Sequence, residues 1–209
     1  MDAGIPKTVK RGTDMNEKIT KALEMNLREG ETVVWESGTL PFRLLDGKEG
    51  RKTLLQWVLS AVCYIAILIF YASYGAVTLK VATVLTALLA VMIAMPVLSY
   101  RQLLAQRYYL TNQRAILIKK DGVICTMERA KINAVRLYPG KPGASLALGR
   151  SLLDEGGKQL RWRSTHAKEH PNSVGGLNAL GLVFYNVERA ETAMRLLQAD
   201  VERAESEAL

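Results

Sequence analysis

"RYYLTNQRAILIKKDG", residues 107 to 122, has the pattern of two short strands around a tight turn. The turn falls at Asn112-Gln113, and asparagine tolerates the left-handed backbone conformation that two-residue hairpin turns require. The segment therefore predicts a β-hairpin. Alternation of apolar and polar side chains marks its candidate core positions, which are Tyr108, Leu110, Ile116 and Ile118.

The residues after this hairpin continue the strand pattern. An Asp-Gly turn at Asp121-Gly122 leads into "VICTMERAKINAVRLY", and "ASLALG" (144–149) and "QLRWRS" (159–164) alternate in the same way. The closing "NVERAETAMRLLQADVERAESEAL" repeats apolar residues at three- and four-residue steps, with Asn186 as the predicted N-cap of a helix. The sequence thus predicts an α+β fold, an antiparallel β-sandwich or barrel capped by a C-terminal helix.

Two uncharged segments of 20 residues each, 54–73 and 81–100, precede the hairpin. A helix of that length spans about 30 Å, the thickness of the hydrocarbon core of a bilayer. A signal peptide is shorter and lies at the N-terminus, and helices of soluble cores are rarely apolar on every face. Residues 51–100 are therefore predicted to form a transmembrane helical hairpin, followed by a domain at 101–209.

Flanking charge predicts the orientation of this hairpin, because cytoplasmic ends of membrane helices are enriched in Lys and Arg. Lys80 is the only basic residue between the two apolar segments, whereas several basic residues lie at both outer ends. The basic residues are Arg43, Lys48, Arg51 and Lys52 before the hairpin and Arg101, Arg107, Arg114, Lys119 and Lys120 after it. Both termini are expected in the cytoplasm. The spans carry no acidic or histidine side chain, which favours an anchor or partner-binding hairpin over a conduit.

Residues 1–50 are predicted to form a cytoplasmic tail with one short amphipathic helix. Asp14 and Glu17 have the spacing of a capping box, and Gly30 provides a stop. The apolar face consists of Met15, Ile19, Ala22, Leu23 and Leu27. This face can dock on the domain or lie on the membrane surface. The mixed charge of its polar face favours docking on the domain.

Positive charge is concentrated after the hairpin. Residues 101–175 hold 14 basic side chains against 5 acidic ones, a net charge of +9. A domain beside a membrane meets anionic headgroups at all times, and no aromatic-rich nucleic-acid motif accompanies the charge. We therefore expect a lipid bilayer as partner and no nucleic acid, with Arg101, Arg107, Arg114, Lys119 and Lys120 as candidate headgroup contacts. Plain positive-inside topology without a specific ligand is the alternative.

Little in the sequence predicts catalysis. The two cysteines, Cys63 and Cys125, lack metal-binding or disulfide spacing, and we expect them to be reduced and structural. His166 and His170 are four positions apart, but Pro171 and turn-forming neighbours favour a solvated loop over a metal site. No phosphate-binding loop, nucleophile elbow or carboxylate pair is present. We therefore expect no enzyme, no cofactor and no metal.

Three segments together resemble the bacterial pleckstrin-homology-like, or membrane-flanked domain, membrane proteins. They are "LREGETVVWESG" before the apolar pair, "YYLTNQRAIL" after it, and "GLVFYNVERAETAMRLL" near the end. The family pattern is a Gly-Glu-x-x-x-Trp stretch, then membrane helices, then Tyr-x-Leu-Thr-Asn/Asp-x-Arg. The resemblance covers about 27–198, and its most specific part is Leu110, Thr111, Asn112 and Arg114. The chain departs from the pattern between Gly149 and Leu180, where it is longer and more polar.

The resemblance implies a bent seven-stranded sheet capped by a C-terminal helix, in a multi-pass protein of the bacterial inner membrane. The family includes an assembly protein of photosynthetic complexes. A non-catalytic scaffold that helps assemble or stabilise a membrane-protein complex is therefore the leading hypothesis. An anionic-lipid-responsive binding module in envelope or stress physiology is the second, and self-association into a homo-oligomer is left open. The motif residues 110–114 are interpreted as turn architecture.

Overall fold

The computed structural model describes residues 17–74, 78–153, 160–169 and 179–207. The chain forms two compact units. The first, here called the sheet unit, contains the described residues up to Pro41 and the described residues from Gln102 onward. The second, the helical unit, is Phe42–Arg101. The segment before the apolar helices, which the sequence suggests is a tail, thus shares a unit with the segment after them.

The first sheet of the sheet unit has four antiparallel strands in the order β1-β2-β3-β4. They are β1 (Val33–Gly38), β2 (Arg107–Thr111), β3 (Arg114–Ile118) and β4 (Ile124–Glu128). The predicted hairpin is confirmed, because Leu110 pairs with Ala115 across the Asn112-Gln113 turn. The predicted Asp-Gly turn between β3 and β4 is also confirmed, with the amide of Lys119 donating to the Val123 carbonyl at 2.9 Å.

The second sheet has the order β5-β6-β8-β7. Its strands are β5 (Val135–Tyr138), β6 (Ala144–Leu148), β7 (Lys168–Glu169) and β8 (Ala179–Val187). The helices of the sheet unit are α1 (residues 17–24), α4 (Arg150–Leu153), α5 (Leu160–Thr165) and α6 (Ala190–Glu207), and Arg129–Lys131 form a 3-10 turn. The mixed α+β class is confirmed, and neither sheet closes into a barrel among the described residues.

Two local predictions are wrong. Residues 160–165 form helix α5 instead of a strand; the hydroxyl groups of Ser164 and Thr165 each donate to a carbonyl three residues back, at 2.8 Å. The alternation of Leu160 and Trp162 does not mark a buried face, because Trp162 is exposed. Asn186 is not a helix N-cap. It lies within β8 with a φ of 51°, and α6 begins at Ala190.

The main core lies between the two sheets. Trp35 of β1 stacks on Phe184 of β8 with ring centroids 5.8 Å apart, and Tyr108 packs against the same phenylalanine at 5.0 Å. Ala193 and Leu197 of α6 close this core. The apolar spacing of the C-terminal helix thus reflects a buried face, as the periodicity predicts.

A second cluster lies on the outer face of the first sheet, where α1 packs. Ile19 and Leu23 of α1 contact a set of sheet residues consisting of Tyr109, Ile116, Ile118 and Ile124. The predicted docking of the amphipathic helix on the sheet is confirmed for this part of it, while Asp14 and Met15 lie outside the described residues. All four predicted core positions of the hairpin are buried, but they face two different clusters. Strand β3 is therefore buried on both faces.

The helical unit contains α2 (Gly47–Ser73) and most of α3 (Leu79–Leu104). Both helices are long and apolar enough to cross a membrane, with mean hydropathies of 2.2 and 2.5 in their most apolar windows. Only 6% and 0% of the residues in these windows are buried. The hydroxyl groups of Tyr64 and Thr86 join the two helices at 3.0 Å. The predicted spans, 54–73 and 81–100, fall inside these helices.

Candidate functional site

The two motif segments on either side of the apolar helices meet in the sheet unit. The guanidinium of Arg114 forms two hydrogen bonds with the Glu31 carboxylate, from Nε to Oε1 at 2.8 Å and from Nη2 to Oε2 at 2.9 Å. It also donates to the Asn26 carbonyl. Both side chains are almost completely buried, with 8% and 0% of their surface exposed. We call this ion pair with its hydrogen-bond partners the clasp.

The turn residues of the hairpin complete the clasp. The Thr111 hydroxyl donates to Glu31 Oε1 at 2.7 Å and accepts the amide of Arg114 at 2.9 Å. The Asn112 side chain bonds to the chain before the helices, donating to the Gly30 carbonyl and accepting the Thr32 amide, both at 3.0 Å. These contacts are made to backbone or to a buried partner, so Thr111, Asn112 and Arg114 have a structural role here.

The clasp sets the charge state of Glu31. Burial alone would raise the pKa of this carboxyl, but the Arg114 guanidinium, the Arg28 amide and the Thr111 hydroxyl donate to the carboxylate and lower its pKa. A bidentate arginine pair also fixes the orientation of both partners. The carboxylate is therefore held ionised as a fixed connection between two distant segments.

The predicted headgroup residues do not form one surface. Arg114 is buried in the clasp, so its charge does not face a lipid surface. At the opposite end of the hairpin, Arg107 is the register partner of Ile118, which brings it close to Lys119 and Lys120. We call Arg107, Lys119 and Lys120 the basic end. A five-residue strand, roughly 14 to 17 Å long, separates it from the clasp.

The basic end lies where the chain leaves α3. That helix ends at Leu104, and β2 begins at Arg107. Lys120 is exposed, while Arg107 and Lys119 are half-buried. Arg101 is exposed in the last turn of α3. Contact of these four residues with headgroups stays a prediction, and the sequence gives no signal that separates the buried Arg114 from them.

A cleft of about 320 Å³ opens on the outer face of the first sheet. It is lined by Ile19, Thr20, Glu36, Ser37, Gly38, Arg107 and Tyr109. The Arg107 side chain lies over Gly38, so that a Cβ at position 38 would require its guanidinium group to move. Burial and the negative charge of Glu36 raise the pKa of Tyr109, and the charge of Arg107 partly offsets this rise. The sequence does not reveal the cleft because it depends on pairing between the distant strands β1 and β2.

A buried hydrogen-bonded network links β2, and Thr39 just after β1, to α5. The hydroxyl groups of Tyr108 and Thr39 lie 3.0 Å apart, and Tyr108 donates to Gln106 Oε1 at 2.9 Å. Gln106 Nε2 in turn donates to the Ser164 carbonyl at 2.9 Å. Desolvation raises the pKa of Tyr108, so this phenol is held neutral as a hydrogen-bonding group. This hydrogen-bonded network fixes α5 to Gln106, which lies two positions after the end of α3.

Of the two histidines, only His166 lies among the described residues. The His166 ring stacks on Trp162 with centroids 4.7 Å apart, and His170 lies outside the described residues. Within the described ranges no three His, Cys, Asp or Glu side chains are grouped as a metal site would require. The clasp joins an ion pair to several side-chain hydrogen bonds in one buried site.

The residues that carry the family resemblance are those of the clasp and the core beside it. Gly30 and Glu31 bind the hairpin turn, and Trp35, the last residue of the Gly-Glu-x-x-x-Trp pattern, stacks in the core. The structure thereby gives each quoted motif residue a physical role, while membership of the family stays a prediction. No protein-family model, no curated protein and no solved structure matches this chain.

Proposed function

We propose that this protein is a non-catalytic, membrane-anchored scaffold that assists the assembly or stability of a protein complex in a bacterial inner membrane. In this proposal α2 and α3 cross the bilayer as a hairpin. The sheet unit is a pleckstrin-homology-like domain that faces the cytoplasm. The observation that carries the proposal is the exposure of two long apolar helices attached to a well-packed sheet unit.

Exposure separates these helices from the core helices of soluble proteins. A soluble core helix buries its apolar side chains, whereas 6% and 0% of the most apolar windows of α2 and α3 are buried. Transfer of apolar surface out of water gains about 25 cal/mol per Å². Helices of this length and composition therefore require a cover, and a bilayer matches their dimensions.

The pairing of β1 with β2 supports the hairpin topology. β1 precedes α2 in the chain and β2 follows α3, yet the two strands are hydrogen-bonded neighbours. A folded sheet unit therefore requires both ends of the helical unit to lie on the same side of a membrane. Two crossings satisfy this requirement, and a single crossing does not.

The arrangement of the sheet unit supports the pleckstrin-homology-like assignment. Two antiparallel sheets enclose one core, and the C-terminal helix α6 packs on β5, β6 and the 3-10 turn. Arg129 fixes the helix by donating to the Thr111 carbonyl at 3.0 Å and to the Leu196 carbonyl at 2.8 Å. Domains with such architecture host many functions, so the scaffold role rests on the family resemblance as well.

The scaffold proposal is tested by purifying the tagged full-length chain from its native membranes after mild crosslinking. We expect a membrane-protein partner in stoichiometric amount, identified by mass spectrometry. A tagged helical unit, residues 42–101, is the matched control, because it distinguishes a partner bound by the helices from one that needs the sheet unit. Recovery of the chain without any enriched partner would contradict the scaffold role.

The alternative is an anionic-lipid-responsive module, which the basic end favours. Arg107, Lys119 and Lys120 cluster at the exit from α3, and each basic residue near an anionic surface contributes about 1 kcal/mol of attraction. The test is hydrogen exchange of residues 119–123 in nanodiscs with and without anionic lipid. Salt-sensitive protection in the anionic discs alone, reduced by K119Q/K120Q and retained in K131Q, would favour this module over a scaffold.

A further inference from the structure

The short helix α5 presents an exposed tryptophan. Trp162 has 48% of its surface exposed, and the His166 ring stacks on it at an interplanar angle of 13°. The guanidinium carbon of Arg163 lies 4.7 Å from the centre of the indole ring. The indole is thus held in a defined orientation by two neighbours without being buried by them.

The surroundings of Trp162 have the composition of a membrane interface. Arg161 and Arg163 flank it in sequence, and α5 packs on β8, where Leu180 is 41% exposed. An indole has an apolar body and a polar N–H, and it therefore settles at the level of lipid headgroups. Arginine side chains beside it place charge in the headgroup layer while their stems cover apolar surface.

The hydrogen bond between α5 and a residue just after α3 also supports an interfacial environment for Trp162. Ser164 accepts the side-chain hydrogen bond of Gln106, a residue only 1% exposed, through its carbonyl. Gln106 follows the last residue of α3, Leu104, by two positions. The buried hydrogen bond therefore fixes α5 at the point where the chain leaves an apolar helix.

We propose that Trp162 is an interfacial anchor that inserts its indole into the headgroup layer of the bilayer that α3 crosses. This inference rests on the proposed function, because it requires α3 to span the membrane. The tether makes the contact intramolecular, so that even a small affinity per side chain holds the sheet unit against the surface.

Tryptophan fluorescence of the full-length chain in lipid vesicles tests this proposal. The chain has three tryptophans, of which Trp35 is buried in the core and Trp57 lies in α2. The emission that W57F has and W57F/W162F lacks therefore belongs to Trp162. We expect this emission to be strongly reduced by lipids brominated near the headgroup and to be protected from iodide in the aqueous phase.

The opposite pattern, in which iodide quenches Trp162 and brominated lipid does not, would overturn the inference. The W162F variant distinguishes this failure from failure of the proposed function, because brominated lipid should still quench Trp57 when α2 lies in the membrane. If neither tryptophan responds to brominated lipid, the membrane anchor and the inference fail together. Should W57F not fold, comparison of the wild-type chain with W162F isolates the same emission, since residue 162 is at the surface.

Discussion

Glu31 and Arg114 form a buried ion pair across 83 positions of the chain, with Nε and Oε1 2.8 Å apart. Nearly all of the intervening sequence belongs to the helical unit and the strands that enter and leave it. The pair therefore fixes the segment before α2 to the segment after α3 with a geometry that tolerates little displacement.

Arg114→Met should destabilise the sheet unit strongly. The substitution leaves the Glu31 carboxylate buried without its cation, and removal of one partner of a buried ion pair costs about 3 to 5 kcal/mol. Urea unfolding of the full chain in detergent, followed by circular dichroism, measures the loss. Arg28→Gln is the matched control, because its pair with Glu128 has 49% and 35% of the side chains exposed and should contribute less than about 1 kcal/mol. Equal losses in the two variants would contradict the structural role of the clasp.

Acid should weaken the sheet unit through Glu31. The pKa of this carboxyl is lowered from its ordinary value of 4.5 in the folded chain, so its contribution to stability is present above that value. The contribution is lost as the pH falls below 4.5 through the folded pKa. Glu31→Gln does not titrate, and we expect a smaller loss of stability between about pH 5 and about pH 3 than in the wild type. Urea midpoints at each pH give this comparison, and identical pH profiles would exclude Glu31 as the titrating group.

Tyr108→Phe should cost about 1 to 3 kcal/mol, because it leaves the Thr39 hydroxyl and Gln106 Oε1 without the phenol in a buried site. The size of the ring is almost unchanged, so the loss reports on hydrogen bonding. Thr39→Val combined with Tyr108→Phe should cost less than the sum of the two single changes, since it removes both partners of one bond. Additive losses in this double-mutant cycle would show that the two hydroxyl groups are not coupled.

Asn186 should tolerate glycine better than alanine. Its φ of 51° is a left-handed conformation, which costs alanine about 1 kcal/mol more than glycine. Its side chain also joins distant segments, donating to the Leu40 carbonyl at 2.9 Å and accepting the Gly143 amide at 2.8 Å. Both variants lose these bonds, so the difference between their unfolding free energies isolates the backbone contribution. A glycine variant less stable than the alanine variant would contradict the backbone argument.

Local patterns in the sequence predict the hairpin, α1, the two apolar helices and α6, but they assign the short helix α5 to a strand. The Asn112-Gln113 and Asp121-Gly122 turns, the docking face of α1 and the apolar face of α6 all depend on neighbours within a few residues. The two apolar helices are equally clear, because their length and lack of charge are properties of composition. These elements determine the α+β class but not the partners of each strand.

Pairings between distant segments could not be predicted in this way. β1 joins the first sheet only because β2 offers an edge, and the sequence of β1 gives no indication of that register. The local sequence does not distinguish Arg114 from the exposed basic residues near it. Its burial becomes evident only from its pairing with Glu31 in the folded chain. Asn186 is of a residue type that favours the N-cap, but its carbonyl accepts the Leu40 amide at 2.8 Å, and this bond holds it in β8. In each case tertiary contact overrides local preference.

The pairing of β1 with β2 also determines when the sheet unit can fold. Thr39 and Tyr108 are 69 positions apart, and both apolar helices are synthesised between them. During translation β1 leaves the ribosome first and lacks its hydrogen-bonded partner strand until Arg107–Thr111 emerges. A chain that stalls before this point keeps an unpaired strand edge available to proteases and chaperones. Completion of the first sheet thus marks a nascent chain in which both helices have already been made.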